Sequence, residues 1–143
     1  MIEQVNQPSE EMIHQLMAIW LKTNQEAHPF VAASYWLEHE EEVKEQLPNA
    51  TLFITKEGDK IEGFLGLQED YIAGLFVEKR SQGKGLGRQL LNKAKKEAAQ
   101  LTLAVYKKNE QAYHFYISQG FQVIKEQVDE ETDEVELILQ WTE

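Results

Sequence analysis

The spacing of apolar residues changes period several times along the chain, and each change marks an element. Ile13, Leu16, Met17 and Trp20 recur at i, i+3, i+4 and i+7, the spacing of one helix face. Ser9 stands where an N-cap is wanted, with Glu10 and Glu11 in the first turn, so a helix is predicted over residues 9–22. The pattern breaks around His28-Pro29-Phe30 and resumes with Trp36, Glu40, Val43 and Leu47. A second helix is therefore expected from residue 34 to just before Pro48. Short apolar runs at 52–55, 61–67 and 71–77 read as strands, the first two as a hairpin. Gly63, Gly66 and Gly74 inside these runs point to bulges or close backbone approach.

Helical spacing returns at Leu86, Leu90, Leu91, Ala94 and Ala98, and a helix is expected to run to about Gln100. Residues 101–106 alternate as a strand. Asn109 suits an N-cap, Ala112, Phe115, Tyr116 and Gln119 share a face, and Gly120 sits where a helix C-terminal glycine belongs. Strands at 121–126 and 135–141 flank an acidic turn, and residues 2–5 form a short leading strand. The sum is one α+β (mixed α/β) domain over residues 1–143, with about seven strands, mostly antiparallel, and about four helices.

The chemistry concentrates where the strand at 71–77 meets the next helix. Gln82-Gly83-Lys84-Gly85-Leu86-Gly87-Arg88 places glycine at every second position before a helix start. The first N–H groups of a helix have no intrahelical partners and favour negative charge, so such a loop can cradle phosphate. The nucleoside triphosphatase loop, G-x-x-x-x-G-K-[ST], is absent, and Arg88 breaks the dinucleotide pattern G-x-G-x-x-G. Q-x-x-G-x-G is met by Gln82, Gly85 and Gly87.

Charge reinforces this reading. The protein carries a net −11, yet residues 75–96 hold seven of the fourteen Lys and Arg and one acid, a local +6. Positive potential there would attract a phosphorylated ligand. The acidic remainder argues against nucleic acid as a partner and suits a cationic one. There is no cysteine, which excludes thiolate catalysis and thiolate metal sites. No histidine pair or acid cluster has metal-ligand spacing, so no metal is expected. With no membrane-length apolar run and no signal-like N-terminus, a cytoplasmic protein away from membranes is expected.

The glycine loop resembles the pyrophosphate loop of the GNAT family of N-acetyltransferases. A second block, Asn109 to Phe121, matches that family's N-x-x-A-x-x-F-Y-x-x-x-G-F segment at every fixed position. The order of elements is similar too, and the helical pair with its His28-Pro29-Phe30 loop most resembles the bacterial YjaB-like members. The resemblance implies acetyl-CoA as cosubstrate and direct attack by a primary amine, of a small molecule or a protein lysine, in a ternary complex. It implies that Leu75, Phe76 and Val77 lend backbone to pantetheine. It also implies that Gln82, Gly83, Lys84, Gly85, Leu86, Gly87 and Arg88 hold the pyrophosphate, and that Asn109 reaches the coenzyme. Tyr116 aligns with the tyrosine that assists the departing thiolate. A homodimer would be in keeping with the family.

An alkyl ammonium must lose a proton before it attacks, because its pKa is about 10.4. Glu69 and Asp70 are candidate bases by position before the strand at 71–77; Tyr71 stands where many members carry histidine. His28, Phe30, Tyr35 and Tyr71 are candidates for the acceptor pocket. Two other readings stay open: a non-catalytic acyl-CoA sensor or interaction module on the same fold, and a nucleotide-binding protein.

Overall fold

The computed structural model describes residues 2–143. The chain runs β1 (Ile2–Val5), α1 (Glu10–Ala27), α2 (Ala33–Glu38), α3 (Glu40–Gln46), β2 (Thr51–Glu57) and β3 (Lys60–Gln68). It continues through β4 (Tyr71–Val77), α4 (Leu86–Lys95), β5 (Gln100–Tyr106), α5 (Glu110–Ser118), β6 (Gln122–Asp129) and β7 (Glu134–Thr142). One seven-stranded sheet has the order β1-β2-β3-β4-β5-β7-β6.

Side chains on alternate sheet positions feed two cores. Phe53, Leu65, Ile72, Leu101, Leu103 and Leu139 pack with Leu90, Leu91 and Ala94 of α4 and Tyr116 of α5. Leu52, Ile54, Ile61 and Phe64 face the other way, against Leu16, Trp20, Trp36 and Leu47. The period-two alternation of strands and the helical stripes meet here as read from the sequence.

Three element boundaries differ from expectation. α1 continues to Ala27, and in this extension Thr23 Oγ1 and Asn24 Nδ2 donate to the Ile19 and Trp20 carbonyls at 2.7 and 2.9 Å. The helix expected over 34–47 breaks at His39, whose φ −97° and ψ 0° are not helical. At the break, His39 Nε2 lies 2.8 Å from Glu131 Oε2 in the β6–β7 turn and its Nδ1 3.4 Å from Glu42 Oε2 of α3. α4 stops at Lys95, where Lys95 Nζ turns to the Gln119 carbonyl at 2.6 Å.

The sheet is antiparallel except between β4 and β5, which are parallel and share a single register pair, Tyr71 with Thr102. Thr102 N–H also donates to the Asp70 carbonyl at 3.0 Å. Beyond that point the two strands part. The cause lies in β4: its register with β3 shifts from Gly66–Gly74 to Leu67–Ile72, leaving Ala73 as an extra residue. A bulge of this kind bends its strand. The C-terminal half of β4 is thus unpaired on its β5 side, and a cleft opens there.

Candidate active site

The opening between β4 and β5 is the floor of a cleft of about 780 Å³. Leu75, Phe76 and Val77 of β4 line one side, with the loop residues Gln82, Gly83 and Gly85 and the α4 residues Leu86, Gly87 and Arg88 beyond them. Asn109, Ala112, Phe115 and Tyr116 line the α5 side, and the end of α1 closes the third wall through Thr23, Asn24, Ala27 and His28.

The loop has the properties of an anion cradle. Gly83 and Gly85 have φ +83° and +80°, a region that side chains with a Cβ resist. A Cβ at Gly83 would meet nothing within 4 Å, and at Gly85 only side-chain ends, the nearer being Arg88 at 3.6 Å. The backbone form requires glycine although the protein does not fill the space. Gly85 is the N-cap of α4 and no side chain caps that helix. The first amides of α4 therefore face the cleft without a side-chain acceptor. The Gln82 side chain turns away from them, its Nε2 donating to the Val77 carbonyl at 2.9 Å, and so pins the loop to the end of β4.

Tyr116 is 7% exposed and packs edge-on against Phe115 and Phe121, with centroids 5.1 and 5.5 Å away. Burial alone raises its phenol far above the ordinary value of 10, because a phenolate would lose its water. It is a proton holder at neutral pH. His28 is shifted the opposite way: burial lowers it from 6.5, partly offset by its bond to the Asn24 carbonyl. It is a neutral imidazole at pH 7.

The remaining predicted residues fall outside this cleft. Lys84 is exposed and does not line it. Glu69 and Asp70 form the two-residue β3–β4 turn, at the opposite end of β4 from the glycine loop. Glu69 has φ +57°, and Asp70 Oδ2 accepts from Gln100 Nε2 at 3.3 Å. Leu75 is five steps along the chain from Asp70, at most about 16 Å at about 3.3 Å a step. Tyr71, 40% exposed, is at that same end. Phe30 and Tyr35 belong to an aromatic cluster behind His28: Phe30 meets His28 and Tyr106, and Tyr35 meets Trp36. Sequence reading named His28 but missed Thr23, Asn24 and Ala27 of the α1 wall, because they lie past the predicted end of that helix. Among the described residues, no group of three or more His, Asp or Glu could hold a metal ion. No described helix is long and apolar enough to cross a membrane.

The family model for the Acetyltransferase (GNAT) domain matches residues 10–134, nearly the whole chain. This chain belongs to the GNAT family. The peptidyl-lysine N-acetyltransferase YiaC of Escherichia coli K12 is 30% identical over 128 residues, 88% of each chain. The peptidyl-lysine N-acetyltransferase YjaB of the same organism is 35% identical over 124 residues, 86% of this chain and 84% of its own. The solution structure of apo-form YjaB superposes with a TM-score of 0.84 at 33% identity, covering 99% of this chain and 97% of that one. The PaiA N-acetyltransferase of Thermoplasma acidophilum, crystallised with coenzyme A, shares the fold with a TM-score of 0.78 at 20% identity. It covers 100% of this chain and 99% of its own. As a GNAT protein, this chain is an acetyltransferase that takes its acetyl group from acetyl-CoA. The uncapped amides, the glycine φ values and the unfilled space above them fit the coenzyme's pyrophosphate.

Proposed function

We propose that this GNAT enzyme acetylates lysine side chains of polypeptides. In this reading the diphosphate of acetyl-CoA sits on the α4 amides, and pantetheine lies along Leu75–Val77. The supporting observation is the β4–β5 opening: the backbone of Leu75 and Phe76, which has no strand partner on its β5 side, lies next to the uncapped α4 N-terminus. A pantetheine arm carries amides, so it can pair with a free strand edge. The acceptor class is taken from YiaC and YjaB, both called peptidyl-lysine N-acetyltransferases.

Tyr116 is the residue assigned to the leaving sulfur. The amine nitrogen attacks the thioester carbonyl, the C–S bond breaks, and sulfur leaves as thiolate. A thiol has a pKa of about 8.5, well below that of a buried phenol. Tyr116 therefore stabilises the thiolate chiefly by donating a hydrogen bond, and the proton that completes the thiol comes from the reacting ammonium through solvent. Water in the cleft takes the amine's first proton, since neither Glu69 nor Asp70 lines the cleft.

The test is thiol release from acetyl-CoA with lysine peptides, polyamines and aminoglycosides compared at equal concentration. Turnover with peptides alone or best supports the proposal. CoA binding with no turnover on any amine would favour the acyl-CoA sensor, and faster turnover of a small amine would reassign the acceptor.

A further inference from the structure

His28 and Asn109 are 81 positions apart in sequence, yet His28 Nε2 and Asn109 Nδ2 meet at 3.2 Å. The proton positions follow from the partners. His28 Nδ1 lies 2.9 Å from the Asn24 carbonyl oxygen, which can only accept, so Nδ1 carries the hydrogen. Nε2 then presents a lone pair. Asn109 Oδ1 accepts from Ala112 N at 3.3 Å, capping α5, which leaves Nδ2 as the end that donates to His28. Both assignments agree, and each fixes the other.

The imidazole has little freedom to turn. It stacks on Trp36 with centroids 5.2 Å apart and planes 28° apart, while Phe30 and Tyr106 meet it edge-on at 5.7 and 5.2 Å. Asn24, which accepts from the ring, is itself buried. The end of α1, the Trp36 side chain and the start of α5 are thereby joined at one ring, and His28, Asn24 and Asn109 all line the cleft.

The geometry points to His28 as a positioning residue for the coenzyme. One N–H of the Asn109 amide is committed to His28 and one lone pair to Ala112. The amide plane is fixed, so the second N–H and the second lone pair have a set direction for a polar group of the ligand. His28 also holds the α1 wall against α5, which sets the width of the cleft between them. This inference rests on the acetyl-CoA reading of the cleft.

Nitrogen-15 NMR of the histidine rings in the free protein tests the geometry without any ligand. The expected spectrum has His28 protonated at Nδ1 and bare at Nε2; the reverse tautomer overturns the proposal. Calorimetry with CoA then compares wild type, His28→Gln, His28→Asn, Asn109→Ala and the double variant His28→Asn/Asn109→Ala. Glutamine can place an acceptor near the Nε2 position, whereas asparagine reaches only to Nδ1. We expect His28→Asn to weaken CoA about tenfold, one lost oriented hydrogen bond, and His28→Gln to recover at least half of that on a logarithmic scale. The double variant should bind no worse than Asn109→Ala alone, since the two act as one unit. Equal affinity of wild type and His28→Asn, equal rescue by both amides, or additive losses would each overturn the role of His28. A wild-type protein that binds no CoA would instead overturn the reading of the cleft itself, while the tautomer result stands on its own.

Discussion

Replacing Gly85 with alanine separates the backbone's demand for glycine from the ligand's demand for space. At φ +80° and ψ 12° the residue is left-handed, which costs an L side chain about 1–2 kcal/mol. Alanine also narrows the unfolded ensemble, returning about 0.4–1 kcal/mol, so the net loss is about 1 kcal/mol. For a chain of this size that lowers Tm by about 3–5 °C. No steric term is added in the free protein, because the nearest atom to the new Cβ is an Arg88 side-chain nitrogen at 3.6 Å. The same substitution at Gly58 is the control. Gly58 has φ +62°, nothing within 4 Å of its Cβ, and a place in the β2–β3 turn, outside the residues that line the cleft. Both variants should lose similar thermal stability in a melting experiment. Only Gly85→Ala should also lose CoA affinity by calorimetry, about tenfold or more, since a methyl group would occupy the diphosphate's space at about 1.4 kcal/mol per decade. If Gly85→Ala melts as expected yet binds CoA within twofold of wild type, the amides of this loop are not the phosphate site.

Tyr116→Phe should lower kcat about tenfold or more while changing CoA affinity less than threefold, read from thiol release and calorimetry; unchanged turnover would remove Tyr116 from the chemistry. Raising salt from about 0.1 to about 1 M shortens the screening length from about 10 to about 3 Å. CoA affinity should then fall about fivefold, and a salt-independent value would mean that the local +6 of residues 75–96 plays no part. His28 titrates below its unfolded value of about 6.5, so its stabilising contribution is complete above that pH. It declines as pH falls from there to the lower folded value, because the unfolded chain binds the proton first. Urea midpoints at pH 7.5 and 5.5 should differ more for wild type than for His28→Asn; parallel slopes would contradict this.

Much of this molecule is written locally. In the helical stripe, Leu90, Leu91 and Ala94 are buried as spaced and Leu86 is half-buried, and Gly83 and Gly85 adopt left-handed angles. Asn109 caps α5 through Ala112, as its place before the helix indicated. These features depend on residues within one or two turns of each other, where period and capping chemistry act directly. At the helix break, by contrast, His39 meets Glu131, 92 positions away, a contact that no periodicity within α2 and α3 encodes.

The glycine loop, the order of elements and the two family blocks were therefore set by the sequence itself, because each rests on short-range backbone and side-chain preferences. Tertiary structure alone decided the rest: that β4 parts from β5 after Tyr71, that Glu69 and Asp70 stand at the closed end, and that His28 reaches Asn109. Each of these is a meeting, or a separation, of segments distant along the chain. Its outcome follows from the Ala73 bulge and from packing on both sheet faces, which the identity of neighbouring residues does not specify.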